Sequence, residues 1–194
     1  LYFDMYRHPL GEASIEEMRA YRFPDPRDPR RYEGLEQKVL ELSEGGRYPV
    51  IFDNSFGNGI FQMCNQLMGY DNFLIALALR ERRAFWLLDK IVEMKMELWD
   101  EVLTRAGDHI DIVKELDDMG TQLDSFISPD MYRSDIKPRL EKLIASIKGK
   151  APHVRMMMHS CGSIRRVIPD LIDAGVEILN PVQYTANNMD TAEL

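Results

Sequence analysis

Apolar positions fall into short runs separated by longer stretches in which they recur every three or four residues. Val154 to Met158 reads as a short apolar run without turn residues, which predicts a strand buried on both faces. Tyr48 to Asp53 and Ile110 to Leu116 are further strand candidates, the second interrupted by Lys114 and Glu115. Val176 to Asn180 is a fourth, stopped by Pro181. Between them lie helical patterns. Ser14 caps a short helix with Glu16 and Glu17 in its first turn. Tyr32 to Glu44 places Leu35, Val39 and Leu42 on one stripe and is stopped by Gly45-Gly46. Ile60 to Met68 is a third helix, and Asp71 or Asn72 opens another. A long one runs from about Glu81 to Ala106, with Phe85, Leu88, Val92, Trp99 and Leu103 on its apolar stripe. Glu93, Lys95 and Glu97 take solvated positions on that helix, and Gly107 ends it. Ser128-Pro129-Asp130 starts a helix that kinks or restarts at Pro138 and reaches Lys148-Gly149. Residues 164–174 form a last helix, closed by Gly175.

From Tyr48 onward the order is strand, helices, strand, helices, strand, helix, strand. Such alternation with right-handed crossovers predicts an α/β fold with a parallel sheet, open or closed into a barrel. No Gly-x-Gly-x-x-Gly follows any strand, which counts against a dinucleotide-binding sheet. Residues 1–194 read as one domain, with 1–31 an irregular Pro-rich lead-in. Its Phe23-Pro24-Asp25-Pro26-Arg27-Asp28-Pro29 predicts a solvated, extended connector.

Composition narrows the class. A length of 194 residues at 45% hydrophobic suffices for one sizeable core. A net charge of -8 with dispersed basic residues argues against a nucleic-acid partner. No apolar run approaches the roughly 20 residues that span a bilayer, so no membrane association is expected. The two cysteines, Cys64 and Cys161, do not make a disulfide scaffold and fit a reducing, cytoplasmic setting. The 12 methionines are read as core filler. Residue 1 is Leu, and Thr191 to Leu194 looks like the start of a helix, so a piece of a longer protein is expected.

Polar residues gather where the strands end: Asp53 and Asn54, Asp117 and Asp118, His159 and Cys161, Asn180 and Gln183. In a (β/α)8 barrel such positions share one mouth, where the chemistry sits; four strands make half of one. Residues i and i+2 of an extended chain point the same way, so the His159 imidazole and the Cys161 thiol can converge. Zinc takes both, although two ligands alone do not hold it; a carboxylate such as Asp117, or a ligand beyond Leu194, would add to them, and a packed strand end is the plainer alternative. Asp117-Asp118 are adjacent carboxylates whose repulsion raises one pKa toward that of a proton donor. A helix-capping or loop-solvating pair is the other reading of the two. Asn54, Gln122, Asn180 and Gln183 are uncharged groups suited to a polar substrate, or to satisfying backbone groups. Arg165 and Arg166 are placed to neutralise an acidic ligand, unless they belong to a solvated helix face.

Several blocks resemble the uroporphyrinogen decarboxylase superfamily. They are Glu115-Leu116-Asp117-Asp118-Met119-Gly120-Thr121-Gln122, Ile127-Ser128-Pro129-Asp130-Met131-Tyr132-Arg133 and Lys137-Pro138-Arg139. His159-Ser160-Cys161-Gly162-Ser163-Ile164, Ile168-Pro169-Asp170-Leu171-Ile172 and the stretch from Gly175 to Gln183 continue the series. The likeness is nearest to the branch of methylcobamide:coenzyme M methyltransferases. It implies a partial (β/α)8 TIM barrel, roughly its strands three to six. It further implies that His159 and Cys161 match the first two ligands of a His-x-Cys…Cys zinc motif, and that a zinc-bound thiol takes a methyl group from a corrinoid. The motif's third ligand has no counterpart before Leu194. Uroporphyrinogen decarboxylation, a lyase step of porphyrin biosynthesis, is the alternative, and a non-catalytic tetrapyrrole or corrinoid binder is another. Expected partners are a small-molecule substrate and a corrinoid protein. Because half a barrel has two open sheet edges, the piece is also expected to self-associate.

Overall fold

The computed structural model of the chain describes residues 6–53 and 57–194. Its centre is a four-stranded parallel sheet in the order β1 (Ile51–Asp53), β2 (Ile112–Leu116), β3 (Arg155–His159), β4 (Ile178–Asn180). Chain order equals spatial order, the arrangement of successive strands around a (β/α) barrel. Before β1 come α1 (Ile15–Ala20) and α2 (Leu35–Ser43). Helices α3 (Ile60–Met68), α4 (Tyr70–Ala78) and α5 (Arg82–Ala106) connect β1 to β2. Between β2 and β3, α6 (Pro129–Met131) passes through a π-helical turn, Tyr132–Ile136, into α7 (Lys137–Lys150). The connection to β4 is a 3-10 turn, Arg165–Val167, and α8 (Ile168–Asp173). The π turn is the restart expected at Pro138. Pro has no N–H for the carbonyl four residues back, and the wider turn absorbs the missing bond.

Register assigns every strand residue to one of two faces. Phe52, Val113 and Met156 lie side by side, as do Glu115, Met158 and Leu179, and this face packs on the helices. The other face carries Asp53, Lys114, Met157 and Ile178 in one row and Leu116, His159 and Asn180 in the next. It is half-buried to exposed, and Ile51 at its edge is 50% exposed. The expectation that the run 154–158 is buried on both faces is therefore corrected. Met156 and Met158 are buried, whereas Arg155 is exposed and Met157 and His159 are half-buried. Helices cover one side of the sheet, so burial alternates along the strand.

Lys95 is a second correction. It is 1% exposed, and its ammonium lies 2.7 Å from Glu115 Oε2. The other oxygen of Glu115 accepts from Trp99 Nε1 at 2.6 Å. The charged residue that interrupts the apolar pattern of β2 thus points at α5, one turn of which supplies both donors. A buried carboxylate requires such compensation. Residues 23–29 are exposed or half-buried except for Pro26, as expected of a solvated connector, while the chain on either side of them is packed. Leu10 and Met18 are at most 1% exposed, Tyr32 is buried with its hydroxyl bonded to Pro26 O, and Phe23 packs near Trp86 of α5. Ser14 caps α1 with Glu17 completing a reciprocal capping box. On α2 the buried line runs through Leu35, Val39 and Ser43, leaving Leu42 57% exposed. Residues 191–193 form a turn and no helix.

Replacing Lys95 by Met leaves the Glu115 carboxylate buried without its cation and is expected to destabilise the fold by ~3–5 kcal/mol. Lys95→Met/Glu115→Gln, whose amide oxygen still accepts from Trp99, recovers a large part of that loss. Urea unfolding midpoints of the two variants measure the difference.

Candidate metal centre at the strand exits

The parallel ladder does not stop at the ends of the strands. Asp117 N donates to His159 O at 2.8 Å, and Ser160 N donates to Asn180 O at 2.9 Å. These bonds hold the exits of β2, β3 and β4 in the register of the sheet, so His159 and Asn180 stand next to each other on the open face. His159 Nδ1 lies 2.8 Å from Asn180 Oδ1. With that ring N–H donated to the amide oxygen, Nε2 keeps its lone pair. Nε2 lies 3.4 Å from Cys161 Sγ. Asp118 completes the group: its Oδ1 accepts from Cys161 N at 2.8 Å and lies 3.8 Å from His159 Nε2. One ligand atom from each of Asp118, His159 and Cys161 lies within 4.8 Å of the others, and all three residues are half-buried. Burial, and next the negative charge of Asp118, push the Cys161 thiol above its usual pKa in the metal-free protein.

Two glycines make this arrangement possible. Gly162 has φ +85°, and a Cβ there would collide with Gly120 O. That contact lets the loop after β3 cross the loop after β2, where Ser163 N bonds Thr121 O at 2.7 Å. Gly162 N also donates to Gln183 Oε1 at 2.8 Å, and Gln183 Nε2 donates to Gln122 Oε1 at 2.8 Å. Ser160, buried, accepts from Met119 N at 3.2 Å. Gly59 is the second: any side chain there would collide with Asp117 and Leu116 O.

The two adjacent aspartates have separate environments, because consecutive residues of an extended chain face opposite ways. Asp118 faces the His159–Cys161 pair. Asp117, 4% exposed, turns to the helix side and accepts from Phe61 N at 2.9 Å and Gln62 N at 2.8 Å, capping α3. Burial raises its pKa to about 7 against the opposing pull of those two N–H groups. Of the uncharged residues expected at a substrate, Asn180 orients His159, Gln122 and Gln183 join the loops, and Asn54 lies outside the described residues. Arg165 pairs with Glu193 at 2.6 Å and Arg166 lies 3.5 Å from Asp124, so both are engaged on the surface. Cys64 is buried in α3. Two neighbours went unanticipated. Gln62 Oε1 accepts from Asp118 N at 3.4 Å, and Tyr70, ring to ring with Phe126 at 5.2 Å, feels the Asp118 charge. Both sit on helices whose local pattern carries no sign of a strand exit.

An imidazole nitrogen, a thiol and a carboxylate side by side at an open rim suit a zinc-type ion in donor chemistry. The oriented histidine adds the outer partner that metal-binding imidazoles carry. Fold and site together define a (β/α)-barrel protein with a candidate metal centre at its strand exits. The family model for uroporphyrinogen decarboxylase (URO-D) matches residues 8–188. The chain belongs to the uroporphyrinogen decarboxylase family. Among solved structures, a methyltransferase from Methanosarcina mazei superposes with a TM-score of 0.60 at 20% identity, over 77% of this chain and 41% of that one. That likeness shows the fold, a partial (β/α)8 barrel. The chain spans less than half the length of that methyltransferase. Comparison with curated proteins finds no match. No helix among the described residues is long and apolar enough to cross a membrane.

Asp117 generates a pH dependence. Its folded pKa, about 7, lies above the unfolded value of about 3.9, so the folded chain binds the extra proton. Its contribution to stability is complete below about pH 4 and is lost as pH rises through about 7. Asp117→Asn, which resembles the neutral acid, removes this slope; urea midpoints of wild type and variant across that range show it.

Proposed function

We propose that this chain carries the metal-binding half of a barrel enzyme that transfers a methyl group between a corrinoid and a thiol with the help of zinc. The observation that carries the reading is the pairing of His159 Nε2 with Cys161 Sγ at 3.4 Å on the open face. Asn180 orients the imidazole, and the crossing of the Gly120 and Gly162 loops fixes the cysteine. His159 and Cys161 would hold the zinc, which as a Lewis acid lowers the pKa of an acceptor thiol. The fold shared with a methyltransferase supports this reading. Its partners are a small-molecule thiol and a corrinoid protein as methyl donor. The open edges of β1 and β4 support self-association of the chain.

Zinc analysis of the full-length protein is expected to give about one ion per chain and to fall to near zero in Cys161→Ala. Unchanged stoichiometry in the variant refutes the assignment. The family match favours a second reading, decarboxylation of uroporphyrinogen. Release of carbon dioxide from uroporphyrinogen III by the full-length protein, undiminished in Cys161→Ala, would replace the first reading with the second.

A further inference from the structure

Resting on the zinc reading, we infer that Asp118 is a further protein ligand, so that Asp118, His159 and Cys161 form a three-donor metal site within this chain. The spacing of the donors is the first ground. Zinc binds sulfur at about 2.3 Å, imidazole nitrogen at about 2.0–2.1 Å and carboxylate oxygen at about 2.0–2.2 Å. Two such donors on a tetrahedral ion stand about 3.4–3.6 Å apart. His159 Nε2 and Cys161 Sγ are 3.4 Å apart, and Nε2 and Asp118 Oδ1 are 3.8 Å apart. Both pairs that involve His159 are thus within a few tenths of an ångström of ion-binding separation, and all three donors lie within 4.8 Å of one another, so side-chain rotation is what would close the set.

The second ground is that Asp118 is held on two sides, at its backbone and at its carboxylate. Its own N–H donates to Gln62 Oε1, and its Oδ1 receives the N–H of Cys161. The carboxylate is therefore tied to the very residue whose sulfur would share the ion. The third ground is the absence of a competitor. Asp117 is turned away as the cap of α3, and Cys64 is buried in that helix. His8 and His153 bond to Gln66 O and Gly107 O. No other group of three His, Cys, Asp or Glu side chains among the described residues brings its donors together.

Three protein ligands of nitrogen, sulfur and oxygen type leave a tetrahedral ion one open position, the pattern of catalytic zinc. The ion's double charge would lower the pKa of a ligand at the open position, so that position suits a group able to lose its proton, such as a thiol. Asn180 acts as a positioning residue, because its amide keeps the histidine tautomer that presents Nε2.

Titration of the 194-residue chain with Co2+ alone, read by the sulfur-to-cobalt charge-transfer band and by competition with Zn2+, tests the assignment. Wild type is expected to develop the band at one ion per chain. Asn180→Ala is expected to weaken binding on the order of tenfold. Asp118→Asn keeps an oxygen to accept the Cys161 N–H and preserves the loop, but it lacks the charged donor. It is expected to weaken binding by more than Asn180→Ala, with an unchanged far-ultraviolet circular dichroism spectrum. If Asp118→Asn binds Co2+ as wild type does while Cys161→Ala loses the band, Asp118 is only a loop tie. That overturns this inference and leaves the zinc reading standing. If the wild-type chain shows no band, its own three donors do not suffice and the inference is likewise overturned. The zinc content of the full-length protein still decides the function.

Discussion

The site depends on a backbone ladder that outlasts the strands. Parallel pairing brings Leu116, His159 and Asn180 into one row, and the bonds from Asp117 N to His159 O and from Ser160 N to Asn180 O extend it into the loops. In a parallel sheet a shift of one residue sends every side chain to the opposite face. With such a shift at β3, His159 would face the helices and Asn180 would lose it. The imidazole would then meet a face whose neighbours in the row are Glu115 and Leu179. The mouth is thus set by register first and by loop contacts second.

Register also explains why the chain tolerates a buried ion pair. β2 alternates, so the residue that follows Lys114 on the open face must face the helices, and that residue is Glu115. Lys95 and Trp99, four residues apart on α5, reach its two oxygens. Such a pair adds little net stability over well-packed hydrocarbon, but it rejects alternatives. It fits one seating of α5 against β2, and sliding the helix by a turn would carry Lys95 and Trp99 away from the carboxylate. The seating matters at the site because the same strand goes on to deliver Asp117 and Asp118.

The sequence made some of this legible and hid the rest for physical reasons. Period-two alternation alone brings His159 and Cys161 to one side, and the strand–helix order alone yields a parallel sheet. Neither tells Asp117 from Asp118, because a strand's phase shows only when its burial pattern is clear, and Lys114-Glu115 blurs that of β2. Lys95 sits among apolar residues on α5 and reads as solvated, since a helical stripe gives no sign of a carboxylate on the strand it packs against. Leu10 and Met18 have no periodic neighbours, and their burial comes from α3 to α5 packing over them. Asn180 was visible as a polar strand end; its bond to His159 was not, because it joins residues 21 positions apart in the chain.

The contrast between the two aspartates carries the reasoning one step further. A carboxylate beneath the mouth and a carboxylate in it arise from consecutive residues, and each excludes the other's task. Asp117 is buried with both oxygens turned to N–H groups of α3, so its carboxylate does not reach the open face. Asp118 spends one oxygen on the Cys161 N–H and is 31% exposed, so it remains accessible from the rim. Capping by Asp117 anchors α3, and α3 in turn presents Gln62 to the Asp118 N–H. The buried residue therefore positions the exposed one through a helix terminus. Gly59 is the residue that lets that terminus come close enough, since any side chain there would collide with Asp117 itself.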